Sequence, residues 1–160
     1  MLVDFKELPG SSRIWIYPSN RNFTQEEQEE LKVRLSSFLE EWTAHGKSLK
    51  AAFEIKYNRF IVIGLDQEVA SASGCSIDAS VRFIQELQRI YEVDLLDKMN
   101  VTFRQGQYFA HKDLKEFKQL VKSKSVSAKT IVFNNLVNTK EEYEEYWEVP
   151  MTESWHSRFL

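Results

Sequence analysis

Two adjacent β-rich segments, residues 49–57 and 60–65, constrain the fold of this chain more than any other feature of its sequence. The first segment alternates apolar and polar residues, as a strand does when one of its faces is buried. The second segment, FIVIGL, follows after only Asn58 and Arg59. This is the spacing of a tight hairpin, and Asn tolerates the left-handed backbone that such a turn requires. The two segments are therefore predicted to pair as antiparallel strands.

A strand and a long helix are predicted ahead of this hairpin. Residues 13–17, RIWIY, form a β-rich run that Pro18 ends. Thr24 and Glu27 have the spacing of a capping box, which predicts a helix from this point to Gly46. The apolar residues of this helix repeat at helical spacing and form a predicted core stripe of Leu31, Leu35, Phe38, Leu39 and Trp42.

A second helix and a further strand complete the predicted core. The helix is expected to begin near Ile77, with Ser76 as its N-cap. Its apolar stripe consists of Val81, Ile84, Leu87 and Tyr91. A strand that ends at Arg104 follows. The order strand, helix, strand, strand, helix, strand is typical of ferredoxin-like split βαβ domains. The sequence therefore predicts an α+β fold with a ferredoxin-like βαββαβ core over residues 1–104.

Residues 105–160 are predicted to be a C-terminal α/β extension of the same domain, which then spans residues 1–160. The extension contains a short helix opened by Asp113, a strand in TIVFNNLV and an acidic helix opened by Thr139. RIWIY and FIVIG are apolar at consecutive positions, as in strands that are covered on both faces. We expect the extension to pack on the second face of the sheet, with a homodimer contact as the alternative. Its aromatic candidates are Phe133, Trp147, Trp155 and Phe159.

Composition argues against several classes of function. The chain has 160 residues and a net charge of -3, from 24 acidic and 21 basic residues spread along its length. It therefore lacks the basic field that nucleic-acid binding needs. No apolar run approaches the roughly 20 residues of a membrane span, and the N-terminus lacks a signal-peptide pattern, so we expect a cytoplasmic protein without membrane insertion.

Cysteine and histidine usage argues against a metal site. The single cysteine, Cys75, excludes a disulfide framework and a multi-cysteine zinc site. His111 and His156 have no metal-ligand spacing with one another or with carboxylates. We therefore expect no metal and no cofactor.

The tripeptide Gly46-Lys47-Ser48 matches the end of a phosphate-binding P-loop, but its context is inverted. A P-loop follows a strand and opens a helix, whose N-terminal N–H groups hold the phosphates. Here the predicted helix comes first, and Glu41 stands where the outer glycine is required. The pattern is instead typical of a helix C-cap glycine followed by a solvated lysine.

Seven segments carry a resemblance that covers nearly the whole chain: EEWTAHG, FEIKYNRFIVI, ASGCSID, FIQEL, TIVFNNLV, WEVP and SWHSRFL. In these segments the chain resembles a family of short bacterial proteins of uncharacterised function, whose members commonly carry the label "ABC transporter ATPase". The label implies ATP hydrolysis. The chain has no Walker A motif, no apolar run ending in Asp-Glu and no Leu-Ser-Gly-Gly-Gln signature, so the resemblance transfers no catalytic residue.

The segment SASGCSID holds the strongest candidate chemistry. Cys75 lies at or just before a helix N-terminus, where the helix dipole and free N–H groups favour a thiolate. The proposed topology brings His45 to the same end of the sheet. Cys75 would then be a nucleophile and His45 its base, with helix amides as oxyanion donors. Asp78 could orient His45, although an acid in a first helical turn already has a capping role.

Three hypotheses for function follow from the sequence. The leading hypothesis is a binding or adaptor module, not a nucleotidase, with an unknown protein or small ligand as its partner. A small-ligand or anion site at the helix N-terminus would consist of Ser73, Gly74, Ser76 and Ile77. The alternative is a thiol-dependent enzyme that uses Cys75 with His45. The third is the transporter-associated ATPase that the family label names.

Overall fold

A computed structural model describes all residues from 1 to 160 and shows a mixed α+β fold with four α-helices, as predicted. The residues pack as two compact units. The first consists of Met1–Leu96 and Asn138–Glu141, and the second of Asp97–Val137 and Glu142–Leu160. The longer segment of the first unit therefore ends at Leu96.

The first unit contains five strands and two long helices. In chain order these are β1 Arg13–Pro18, α1 Gln25–Glu41, β2 Thr43–Ala44, β3 Lys47–Ser48, β4 Ala51–Lys56, β5 Phe60–Leu65 and α2 Gly74–Tyr91. A 3₁₀ turn, Phe5–Glu7, precedes them. The main sheet has the order β1-β5-β4, with both pairs antiparallel, and β2 and β3 form a separate small hairpin.

The predicted hairpin of β4 and β5 is confirmed. Lys56 lies opposite Phe60, and Phe53 lies opposite Ile63. The turn uses left-handed backbone at Tyr57 (φ 53°) and Asn58 (φ 60°). Every residue of β5 is buried, which agrees with the unbroken apolar run that encodes it.

Helix α1 begins as predicted but ends early. Thr24 and Glu27 form a reciprocal capping box, and the Arg21 guanidinium binds the Glu27 carboxylate at 2.8 Å and 2.9 Å. This pairing holds the pKa of Glu27 at about 2. The helix stops at Glu41, so its predicted continuation to Gly46 is wrong. Residues 43–48 turn back as the β2–β3 hairpin instead.

The second face of the main sheet is met by the N-terminal segment at Gly64 on β5. A methyl group on Gly64 would lie 2.5 Å from Leu8 Cδ1 and 3.5 Å from Phe5 Cε2. The buried Lys140 side chain fixes this segment, because its Nζ donates to the carbonyl oxygens of Leu8 at 2.8 Å and Phe5 at 3.1 Å. The sequence offered no signal for this N-terminal cover.

The ferredoxin-like core is not confirmed, because the fourth strand that it requires lies in a different sheet. The outer edge of β1 is met by residues 138–140: the Ile14 N–H donates to the Asn138 carbonyl at 2.8 Å, and the Lys140 N–H to the Ser12 carbonyl at 2.9 Å. Residues 138–140 thus lie where the fourth strand of a ferredoxin-like sheet would lie beside β1. The order of elements in the sequence could not predict this arrangement, because these residues follow β1 by more than 120 positions.

The second unit is built on a four-stranded antiparallel sheet in the order β7-β6-β8-β9. Its elements are β6 Val101–Gln105, β7 Tyr108–Lys112, α3 Leu114–Lys122, β8 Ile131–Phe133, α4 Lys140–Tyr146, of which the first two residues belong to the first unit, and β9 Glu148–Pro150. The predicted helix opened by Asp113 is confirmed by its side-chain cap on the Glu116 N–H. The predicted strand in TIVFNNLV is only three residues long.

The C-terminal aromatic residues pack inside the second unit. The rings of Phe133 and Trp147 lie 4.8 Å apart, and both side chains are buried. His156 is 1% exposed, and Phe159 packs against the core of this unit. The C-terminal segment WHSRFL therefore packs on its own unit.

Candidate functional site

The start of α2 lies three residues earlier than predicted. Its N-cap is Ser73, whose Oγ accepts from the Ser76 N–H at 3.1 Å, while Ser76 Oγ accepts from the Ser73 N–H at 2.6 Å. The prediction of Ser76 as N-cap and of a start near Ile77 is therefore wrong. The run SASGCS contains several serines that satisfy the rule for an N-cap, and only the reciprocal pairing of two of them selects the first turn.

Cys75 and His45 are both exposed, in different local settings. Cys75 is the second residue of α2 and a free thiol. His45 lies at the tip of the β2–β3 hairpin with a left-handed backbone (φ 51°). The Trp42 Nε1–H donates to the Ser76 carbonyl at 2.8 Å, which brings the end of α1 beside the start of α2. No hydrogen bond joins His45 to Cys75 or to Asp78.

The capping box uses some of the groups that the predicted anion site requires. The Ser76 N–H donates to Ser73 Oγ, and the Ile77 N–H donates to the Ser73 carbonyl at 3.0 Å. The amides of Gly74 and Cys75 keep no partner within the chain. An anion at this helix start would therefore meet two main-chain N–H groups and the thiol.

The Gly46-Lys47-Ser48 tripeptide does not have the geometry of a phosphate-binding loop. Gly46 (φ 78°) follows His45 in the two-residue turn of the β2–β3 hairpin, and Lys47 and Ser48 form β3. The interpretation of Gly46 as a helix C-cap is wrong for the same reason. The element that follows directly is strand β4, so Lys47 and Ser48 do not open a helix as a P-loop requires.

A groove of about 660 Å³ lies between α1 and α2, in a region where the sequence analysis placed no site. The α1 residues that line it recur at helical spacing on one stripe: Glu30, Val33, Arg34, Ser37, Phe38 and Glu41. Phe83 lines it from α2. The rings of Phe38 and Phe83 stack with centroids 4.4 Å apart and planes 12° apart, and they form its aromatic floor.

The groove combines an exposed apolar surface with charged groups. Val33 is 66% exposed. At one end, the Tyr91 hydroxyl donates to Glu30 Oε1 at 3.3 Å, and burial raises the pKa of this hydroxyl. Glu41 lies at the other end of the α1 stripe, and Arg34 lies between the two carboxylates in sequence. Such an arrangement can bind an apolar group and select its neighbours by charge.

The sequence contains a weak signal for this groove. Leu31, Leu35 and Leu39 are fully buried, and they define the core stripe of α1. Val33 lies off that stripe, so its apolar side chain has no place in the core. The signal was incomplete because the α2 wall of the groove comes from Phe83, more than 40 residues further along the chain.

The other two histidines, His111 and His156, lie in the second unit, and each contacts a hydroxyl group there. His156 Nδ1 lies 2.7 Å from Ser154 Oγ, and burial lowers the pKa of His156 to about 4. His111 Nδ1 lies 2.9 Å from Thr102 Oγ1. No group of three or more histidine, cysteine, aspartate or glutamate side chains is arranged to hold a metal ion.

None of the chain's helices combines the length and the apolar character that crossing a membrane requires. Comparison of the chain with protein-family models, with curated proteins and with solved structures finds no match.

Proposed function

We propose that this chain is a binding or adaptor module that holds an apolar helical segment of a partner protein in the α1–α2 groove. The observation that carries the proposal is the exposure of Val33 in a groove that the stacked rings of Phe38 and Phe83 also line. An apolar surface with a charged border is typical of protein interaction sites. Aromatic side chains held rigid by stacking lose little entropy when a partner packs on them.

The dimensions and charge of the groove favour a short basic helix as its occupant. The lining residues run from Glu30 to Glu41, which is about 16 Å along α1 at 1.5 Å per residue. This length corresponds to three turns of a partner helix. Helix α1 carries six glutamates against Lys32 and Arg34, so a partner with lysine or arginine beside its apolar stripe matches the charge of this wall.

Binding of model helices tests the proposal. A fluorescent amphipathic peptide of leucine and lysine should bind the native chain more tightly than the matched peptide of leucine and glutamate. Val33→Gln should weaken binding about fivefold or more, as expected for the loss of about 1 kcal/mol of apolar contact. Val69→Gln is the matched control, because Val69 is 54% exposed and lies outside the groove. Equal effects of the two substitutions would contradict the proposal.

Thiol chemistry at Cys75 is the second candidate, and the exposure of the thiol on the first turn of α2 favours it. In this reading, His45 acts as the base and the amides of Gly74 and Cys75 stabilise the charge that develops. The same two amides are the basis for the small-ligand or anion site proposed around Ser73, Gly74, Ser76 and Ile77. The rate of Cys75 alkylation against pH tests the thiol reading. A midpoint at least about one unit below 8.5 that shifts in His45→Ala supports it, and an ordinary midpoint eliminates it.

Membership of the family labelled "ABC transporter ATPase" remains a proposal that rests on the resemblance of the quoted segments. We propose no ATP hydrolysis, since Gly46-Lys47-Ser48 occupies a hairpin turn. Magnesium-dependent ATP turnover by the purified chain, abolished by Lys47→Ala, would overturn this part of the proposal. A cytoplasmic location is part of the same proposal and rests on the composition of the chain.

A further inference from the structure

The outer edge of β4 offers an open row of main-chain groups. Strand β4 pairs with β5 on one side only. On its other side, the Val3 N–H donates to the Ala51 carbonyl at 2.9 Å, and the Ala51 N–H donates to the Met1 carbonyl at 3.0 Å. This N-terminal cover stops at Ala51. An uncovered strand edge is a template for another strand.

Alternation along β4 identifies the open groups. In an antiparallel ladder, the main-chain groups of successive residues point alternately toward one neighbour and toward the other. Those of Ala51 point outward, since they bind the N-terminal residues. The N–H and C=O groups of Phe53 and Ile55 therefore also point outward, and no strand pairs with them.

We propose that this edge pairs with the same edge of a second copy of the chain, antiparallel and with Ile55 opposite the partner's Ile55. The contact is two-fold symmetric, as in most homodimers, and joins the two three-stranded sheets into one. Phe53 and Ile55, which are half-buried on the helix-covered face, would gain apolar neighbours across the axis.

Charge complementarity selects this register. With Ile55 opposite the partner's Ile55, Glu54 lies opposite the partner's Lys56 and Lys56 opposite the partner's Glu54. These are non-hydrogen-bonded pairs, whose side chains approach most closely. Each of the four charges in the contact therefore meets an opposite charge on the same face of the sheet.

The neighbouring registers are unfavourable. If Phe53 pairs with the partner's Ile55, the two Glu54 carboxylates face one another. If Ile55 is instead shifted toward the hairpin turn of the partner, the two Lys56 side chains face one another. Pairing Phe53 with the partner's Phe53 places Ile55 opposite Ala51, whose main-chain groups are already bound. Like charges directly opposite one another destabilise a strand pair.

Sedimentation of the full chain over a range of concentrations tests the proposal. The native chain should be a dimer. Glu54→Lys and Lys56→Glu should each raise the dimer dissociation constant about tenfold or more, because each creates two like-charge pairs. Lys115→Glu, at an exposed position on α3, is the matched control and should leave the constant unchanged. A native chain that stays monomeric, or a constant that Lys56→Glu does not change, overturns the proposal.

Mixing the two charge variants gives the most specific test of the proposed register. E54K and K56E are each expected to dimerise more weakly than the native chain, yet a mixture should form a heterodimer in which every charge pair is again opposite. The double variant should form a homodimer for the same reason. Failure of the mixture to associate would overturn the proposed register. If a reversal unfolds the chain, Glu54→Gln and Lys56→Gln replace it, and an unchanged constant in both overturns the proposal. None of these positions lines the α1–α2 groove, so the peptide-binding experiment is independent of this result.

Discussion

The ring of Phe38 on α1 stacks on the ring of Phe83 on α2, with centroids 4.4 Å apart and planes 12° apart. The two rings are only partly buried, so the same contact that joins the helices also forms the floor of an exposed groove. The pair therefore contributes to stability and to the proposed binding surface.

The stacked pair should show energetic coupling. Phe38→Ala and Phe83→Ala each remove the stack, so the double variant should lose less than the sum of the single losses, by about 0.5–1.5 kcal/mol. Urea denaturation of the four chains of the cycle measures this coupling. Phe38→Ala combined with Tyr108→Ala is the control, since Tyr108 is 77% exposed on β7 and belongs to the other unit. Additive losses for the stacked pair would show that the stack contributes nothing of its own.

Gly64 and Gly74 should respond in opposite directions to the same substitution. Gly64→Ala places a methyl group 2.5 Å from Leu8 Cδ1 and 3.3 Å from Ile14 Cδ1, so it should destabilise the chain by about 1–3 kcal/mol. Gly74→Ala meets no atom within 4 Å at the first position of α2, and it should stabilise the chain by about 0.5–1 kcal/mol. Thermal or urea unfolding compares the two. A neutral Gly64→Ala would mean that the N-terminal segment can move away at little cost.

His156 should make the second unit sensitive to acid. Burial lowers its pKa in the folded chain to about 4, whereas the unfolded side chain titrates near its usual 6.5. Between these values the unfolded chain binds the proton and the folded chain does not. The stability that the neutral ring contributes is therefore complete above about pH 6.5 and is lost as the pH falls toward about 4, by about 3 kcal/mol in total.

Replacing His156 with leucine tests this linkage. The free energy of unfolding of His156→Leu should fall less steeply than that of the native chain between about pH 6.5 and 4, whatever its value at neutral pH. His45→Leu is the matched control, because His45 is exposed on a hairpin tip. Parallel pH profiles for native and His156→Leu chains would show that His156 titrates normally in the fold.

Local patterns predicted the elements whose determinants lie close together in the sequence. The β4–β5 hairpin is encoded by its alternation and by Asn58, and the start of α1 by the reciprocal pair Thr24 and Glu27. The start of α3 follows in the same way from Asp113. In each case the residues that make the decisive hydrogen bonds are at most a few positions apart.

Predictions failed where two local solutions compete or where the partner is distant. Gly46 suits either a helix C-cap or a tight hairpin, and in the hairpin that forms both turn residues, His45 and Gly46, have a left-handed backbone. Ser73 and Ser76 both suit an N-cap, and the two hydrogen bonds between them make Ser73 the N-cap. The groove could not be predicted from the sequence, because Phe38 and Phe83 come into contact only when α1 and α2 pack together.

The bonds around Lys140 have a consequence for the order in which the chain can fold. Residues 138–140 complete the edge of β1, and Lys140 holds the N-terminal carbonyls of Phe5 and Leu8, so the first unit needs residues that follow β6, β7 and β8 in the chain. During synthesis the first unit can therefore be completed only after most of the second unit has left the ribosome, and the edge of β1 stays unpaired until then. No single cut of the polypeptide can release either unit whole.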